Sequence, residues 1–375
     1  MKHIFRSFTF LVCFFLILKA QAQEVPEKVM KDIYEQVKTP HKYGLVIAPE
    51  DNSQKADCPM VFRQGDSWYM SYIIFNGRGY ETWLADSKDL LHWKTRGRIL
   101  SFSDDTTKWD NNQKAGYVGL QDYKWGGSYK LQQYNRKYWL SYFGGQSKGY
   151  EKGLLSISVA STDKDPGTAH EWQGLDHPVL SSIDKDVSWW DNHTQYKQTV
   201  IWDKKKLTGH PFIMYYNANG DSVNKKRGAE RIGMAVSDDM LYWKRFGKDP
   251  VLNHGDGITG DPYIQQIGNV YVMFYFGAFW KTGDSGVFNR FACSYDLVHW
   301  TDWTGEKLIQ SSEPYDNMFA HKSCVVKYKG VVYHFYCAVN KADQRGIAVA
   351  VSKDLGKSDL NFVAPPVKKK ANQNK

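Results

Sequence analysis

One pattern recurs five times along the chain and limits it to very few architectures. A short aromatic, alternating stretch appears as WYMSYIIF (68–75), RKYWLSYFGG (136–145), HPFIMYYNAN (210–219), NVYVMFYFGA (269–278) and VVYHFYCAVN (331–340). Tyr69, Tyr138, Phe212, Tyr271 and Tyr333 mark the five copies at intervals of 69, 74, 59 and 62 residues. A second stretch follows each one: ETWLADS (81–87), LLSISVASTD (154–163), RIGMAVSDD (231–239), RFACSYD (290–296) and RGIAVAVSKD (345–354). Period-2 alternation bounded by Gly, Asn and Asp marks strands. Repeats of this length mean a solenoid or a propeller, and four short strands per repeat select the propeller. The chain is therefore expected to be an all-β, five-bladed propeller.

The fifth repeat ends near Leu355 before a fourth strand. Gly44–Pro49 (GLVIAP) resembles the fourth strands and stands before the first repeat. It is expected to complete blade five, which would join the two ends of the chain and remove an exposed sheet edge. This divides the chain into 1–22, 23–43, a propeller over 44–357 and a basic tail over 358–375.

Residues 1–22 carry Lys2 and Arg6, an apolar run, and a small-x-small end at Ala20-Gln21-Ala22. That is the pattern of a cleaved secretory signal, too short for a membrane span. A periplasmic or secreted location is expected. Loss of Lys2, Arg6 and Lys19 takes the formal charge from +9 to +6. Part of the remainder sits in the tail, so no basic stripe suggests nucleic acid. Cys58, Cys293, Cys324 and Cys337 lie among apolar neighbours and read as buried thiols. Val29, Ile33 and Val37 share one face of a short helix over 24–37, which could pack on the propeller or pair with a second subunit as a homodimer.

The inner strand of every blade opens toward the propeller axis, so residues at strand entries converge. The expected entries are Asp57, Trp125-Gly126-Gly127, Asp191-Asn192-His193, Asp261 and His321. Acids gathered there suit glycoside hydrolysis, which needs one carboxyl to activate water and one to protonate the leaving oxygen. Asp57, Asp191, Asp261, Glu230 and His321 form the candidate catalytic set. Glu81, a candidate for contact with sugar, occupies the position in blade one that Glu230 has in blade three. Trp125, Trp190, Trp280, His193 and Lys322 are candidates for contact with sugar. The aspartates Asp89, Asp239, Asp296 and Asp354 repeat in one local context and read as turn caps. Trp93, Trp243 and Trp300 after them read as packing between blades.

The repeats with Asp57 opening the first resemble the propeller enzymes of glycoside hydrolase families 43 and 117, over about 44–355. The family 43 resemblance implies Asp57 as general base and Asp191 as its modulator. Its acidic glutamate is replaced here by Asp261. The family 117 resemblance, to 3,6-anhydrogalactosidases, implies Asp57, Asp261 and His321, with the histidine as acid. The chain is therefore expected to be an inverting enzyme that trims terminal sugars from plant or algal oligosaccharides, with no cofactor needed and no ligand spacing that supports a metal at the axis near His321. The acid stays open among Asp261, Glu230 and His321. A carbohydrate-binding propeller without catalysis is the alternative.

Overall fold

A computed structural model describes residues 23–220, 228–281 and 283–364. The expected signal segment and most of the basic tail lie outside the described residues. Five antiparallel units follow one another. Blade one is Lys55–Gln64, Ser67–Phe75, Tyr80–Ser87 and Trp93–Leu100. Blade two is Gln113–Val118, Tyr138–Gly145, Ser156–Thr162 and Gln173–Gly174. Blade three is Thr194–Trp202, Phe212–Asn219, Glu230–Ser237 and Trp243–Arg245. Blade four is Ile258–Ile267, Val270–Ala278 and Val287–Ser294, edged by Thr301–Asp302 and Ile309–Gln310. Blade five is Phe319–Tyr328, Val331–Val339 and Arg345–Val351. Its fourth strand is His41–Ile47, antiparallel to Arg345–Val351, so the N-terminal strand closes the ring.

Local chemistry explains the repetition. In three blades a serine and an aspartate cap one corner. Asp89, Asp239 and Asp296 each accept the backbone N–H groups two and three residues on, at 2.8–2.9 Å. Ser87, Ser237 and Ser294 accept from Leu90, Met240 and Leu297, whose φ values are near +70°. Asp354 differs, accepting only from Gly356. After the corners, Trp93 meets Phe335 of blade five edge-on at 5.8 Å, and Trp300 meets Tyr215 of blade three at 5.6 Å. These indoles tie neighbouring blades, as the repeat predicts.

The helix Glu27–Val37 buries Met30, Ile33 and Val37 in the propeller's main core, and Tyr34 stacks on Trp303 at 5.5 Å. Its apolar face is thus covered by its own chain, which leaves no such stripe for the expected dimer contact. The tail reading also changes at its start. Ser358 bonds Tyr43 and Leu45 of the closing strand, and Phe362 packs beside it, so 358–364 is anchored.

Two features position the site. The first is a bulge in four inner strands, at Cys58, Lys197, Asp261 and Lys322, with φ of 51°, 50°, 52° and 64°. Left-handed backbone at a non-glycine residue costs on the order of 1–3 kcal/mol and gathers where strain serves function. A bulge re-aims side chains that a regular strand would direct elsewhere. The second is residues 119–135 of blade two, which cross the opposite end of the ring. They bond to all four other inner strands, through Arg63, Val200, Gln266 and Lys327.

Candidate active site

At the entry end of the inner strands lies a cavity of about 210 Å³. Blade two lines it with Tyr150 and Glu151, blade three with Lys197 and Glu230, and blade five with His321, Lys322 and Arg345. Blade four supplies Ile258, Phe276, Ala278, Phe279 and Val287. One wall is therefore charged and the other apolar.

Lys197 Nζ lies 3.1 Å from Glu151 Oε1, and both are largely buried. Burial by itself would raise the Glu151 pKa, but Lys197 and Lys322 outweigh it and hold the carboxyl below its ordinary range. Lys322 Nζ donates to Asp57 Oδ2 at 2.6 Å, and Arg345 stands 3.6 Å from the same oxygen. The other oxygen of Asp57 accepts the Cys58 N–H at 2.9 Å. Asp57 is buried, yet Lys322, His321 and Arg345 overcome that cost and keep it ionised far below the usual carboxylate range. His321 goes the other way: burial and then Lys322 lower it to about 3, so it is neutral at pH 7.

Asn217 joins the remaining acids, accepting from the Asp261 backbone N–H at 2.8 Å and donating to Glu230 at 3.4 Å. Burial, then Asp57 and Glu230, push Asp261 up against the pull of Lys322 and Lys197, to about 6. A carboxyl raised in the folded state binds its proton more tightly there than in the unfolded state. Its contribution to stability is full below about pH 4 and is lost as pH rises to 6, on the order of 3 kcal/mol. Urea midpoints of wild type and Asp261→Asn between pH 4 and 7 should show this fall in wild type and not in the variant.

Asp57, His321 and Cys337 bring three donor atoms within 4.8 Å of one another. The Lys322 ammonium already sits against that carboxylate where a cation would bind. The donor set does not fit a metal.

No family model matches the sequence, and no curated protein does. Solved structures do. A structure described as a BT0996 RGII complex is 54% identical, with a TM-score of 0.88, over 91% of this chain and 99% of that one. A second, described as a glycoside hydrolase, is 53% identical with the same TM-score and coverage. This protein belongs to the glycoside hydrolases. That membership favours catalysis over binding alone. A thermostable family-43 glycoside hydrolase, 17% identical at a TM-score of 0.55 over 85% of this chain and 97% of that one, shares the propeller fold.

Within this glycoside hydrolase, the sequence-predicted residues fall into three groups. Glu230, His321 and Lys322 line the cavity. Asp57 and Asp261 do not line it but lie behind it, Asp57 bonded to the lining residue Lys322 and Asp261 linked through Asn217 to the lining residue Glu230. The others are engaged elsewhere. Asp191 accepts from Arg245 at 2.5 Å, Tyr216 at 3.0 Å and the Ser188 N–H at 2.7 Å, at the centre of a buried ion network. Glu81 pairs with Arg98 at 3.0 Å inside blade one. His193 contacts Thr194 at 3.0 Å and is not part of the lining.

The three tryptophans are corrections. Trp190 is buried against Tyr216, over a glycine, Gly233, whose Cβ would collide with its ring. Trp280 stacks on His254 at 3.8 Å and donates to Ile258. Trp125 lies at the opposite end of the ring, bonded to Gln266, because the inner strand of blade two starts at Gln113 and not at Trp125.

Sequence reasoning missed Tyr150, Glu151, Lys197 and Arg345. Lys197 carried a signal, as a lysine within an inner strand that is otherwise almost wholly uncharged and buried. Glu151 also carried one, in the loop between the second and third strands, the loop class that brings Glu230 to the same end.

Proposed function

We propose that this enzyme is exported and removes one terminal sugar from a plant or algal oligosaccharide by inversion, with Glu151 as general base and Glu230 as general acid. The observation that carries the reading is that these two are the carboxylates lining the cavity. A volume of about 210 Å³ is small for a ligand site and suits a single sugar ring. Residues 119–135 cross the far end of the ring, so a polysaccharide cannot thread through it. Both features favour attack at a terminus of the substrate. The 54% identical relative, described as an RGII complex, makes an RGII oligosaccharide the first substrate to try.

Hydrolysis needs one ionised and one protonated carboxyl. Lys197 keeps Glu151 ionised, so it takes the proton from water as the water oxygen bonds to the anomeric carbon. Glu230 gives its proton to the glycosidic oxygen as the old bond breaks. Asp57 is the obvious rival as base, but it is 1% exposed and both its oxygens are already engaged. His321 is neutral at pH 7 and has no imidazolium proton to give.

The test is digestion of RGII oligosaccharides, beside a panel of plant and algal oligosaccharides, followed by NMR from the first minutes. Release of one terminal sugar with inverted anomeric configuration is expected. Internal fragments, or a retained configuration, would overturn the exo-acting or the inverting part.

A further inference from the structure

We propose that Phe279 is the platform for the sugar on the leaving-group side of the scissile bond, so that blade four selects the oligosaccharide. The inference rests on reading the cavity as the active site. Phe279 lines that cavity and yet is 58% exposed, the most exposed aromatic ring there. Its φ is +58°, a conformation an aromatic residue adopts only at a cost. The backbone around it is built for that conformation. Phe279 N–H donates to the Gly286 carbonyl at 3.1 Å, and Gly257 passes so close that a Cβ there would lie 2.7 Å from the Phe279 carbonyl oxygen. A strained backbone that holds a large apolar ring more than half in solvent gains little from burial in the free protein. It makes sense where a ligand covers the ring.

The ring belongs to a continuous aromatic wall. Phe279 meets Phe319 edge-on at 6.0 Å, Phe319 lies 6.0 Å from His321, and His321 meets Phe276 edge-on at 5.2 Å. His321 is neutral at pH 7, so the wall is uncharged from rim to floor. The carboxylates face it from blades two and three, where the reacting sugar must sit. Phe279 stands at the exposed end, next to where the second sugar would leave the cavity. An aromatic face packs well on the C–H face of a sugar ring and tolerates no charge at that point.

The test compares two substrates of the enzyme. One is the RGII oligosaccharide, and the other is the methyl glycoside of the sugar released from it, which has no second ring. In Phe279→Ala the ratio of kcat/KM between them should fall about tenfold, through KM on the oligosaccharide. Phe279→Tyr, which keeps the ring, should restore it. Equal losses on both substrates, or an unchanged ratio, would overturn the platform and leave the hydrolase reading intact. If wild type releases no sugar from the oligosaccharide, the reading of its substrate falls and the platform falls with it.

Discussion

Glu151→Gln and Glu230→Gln should each lower kcat by about 10²–10⁴ with the fold retained, and Glu151→Gln should also lower the melting temperature, because it leaves the buried Lys197 ammonium without its carboxylate. Each carboxyl moves a proton in the transition state, so its amide loses the reaction without changing shape. The two losses should differ in kind. Glu230→Gln lacks the proton for the leaving oxygen, so a glycosyl fluoride, whose leaving group needs none, should recover much of the rate. Glu151→Gln lacks the base and should stay slow on both substrates. Lys197 refines the assignment. It lies 3.1 Å from Glu151 and holds that carboxyl ionised. Lys197→Met should therefore raise the Glu151 pKa and move the acid limb of the pH–rate profile to higher pH. Full activity in either glutamine variant would return the search to Asp57 and Asp261.

The ring and its closure were legible because they rest on local, repeated chemistry. Strand alternation, the serine–aspartate corners and the tryptophans after them need only a few neighbouring residues each. The strand before blade one could be placed in blade five because blade five lacked one. Blade two misled because residues 119–135 stand between its first and second strands and cover the far end of the ring. Nothing local distinguishes KWGGS from a strand entry. Its position is set by bonds to Gln266 and Lys327, more than a hundred residues on.

The site was half legible for a related reason. An acid at a strand entry points to the axis only if the strand stays regular. The bulges at Cys58, Asp261 and Lys322 add one residue each and shift the phase. In blade one the bulge residue is Cys58, so Asp57 turns to Lys322, whereas in blade four the bulge residue is Asp261 itself. A one-residue phase shift is invisible to hydrophobic patterning. Glu151 and Lys197 meet only because blades two and three lie side by side in the closed ring.

Asp57→Asn should cost about 3–5 kcal/mol of stability, because it leaves the Lys322 ammonium buried without its carboxylate. The side chains of the pair are only 1% and 3% exposed, and they join the first inner strand to the last across the ring closure. Removing both partners in Asp57→Asn/Lys322→Met should recover most of the loss, since an uncharged pair of similar volume needs no compensating charge. The pH dependence gives a second check. Asp57 has a folded pKa far below its unfolded value of about 3.9. Its contribution is therefore full above about pH 5 and is lost as pH falls through 3.9 toward the folded value. Urea midpoints of wild type and Asp57→Asn should differ widely at pH 7 and converge below pH 4, the opposite sense to Asp261. If Asp57→Asn instead unfolds like wild type at pH 7 yet hydrolyses nothing, the aspartate acts on the substrate. The base then returns from Glu151 to Asp57, and Lys322 becomes the group that keeps it ionised.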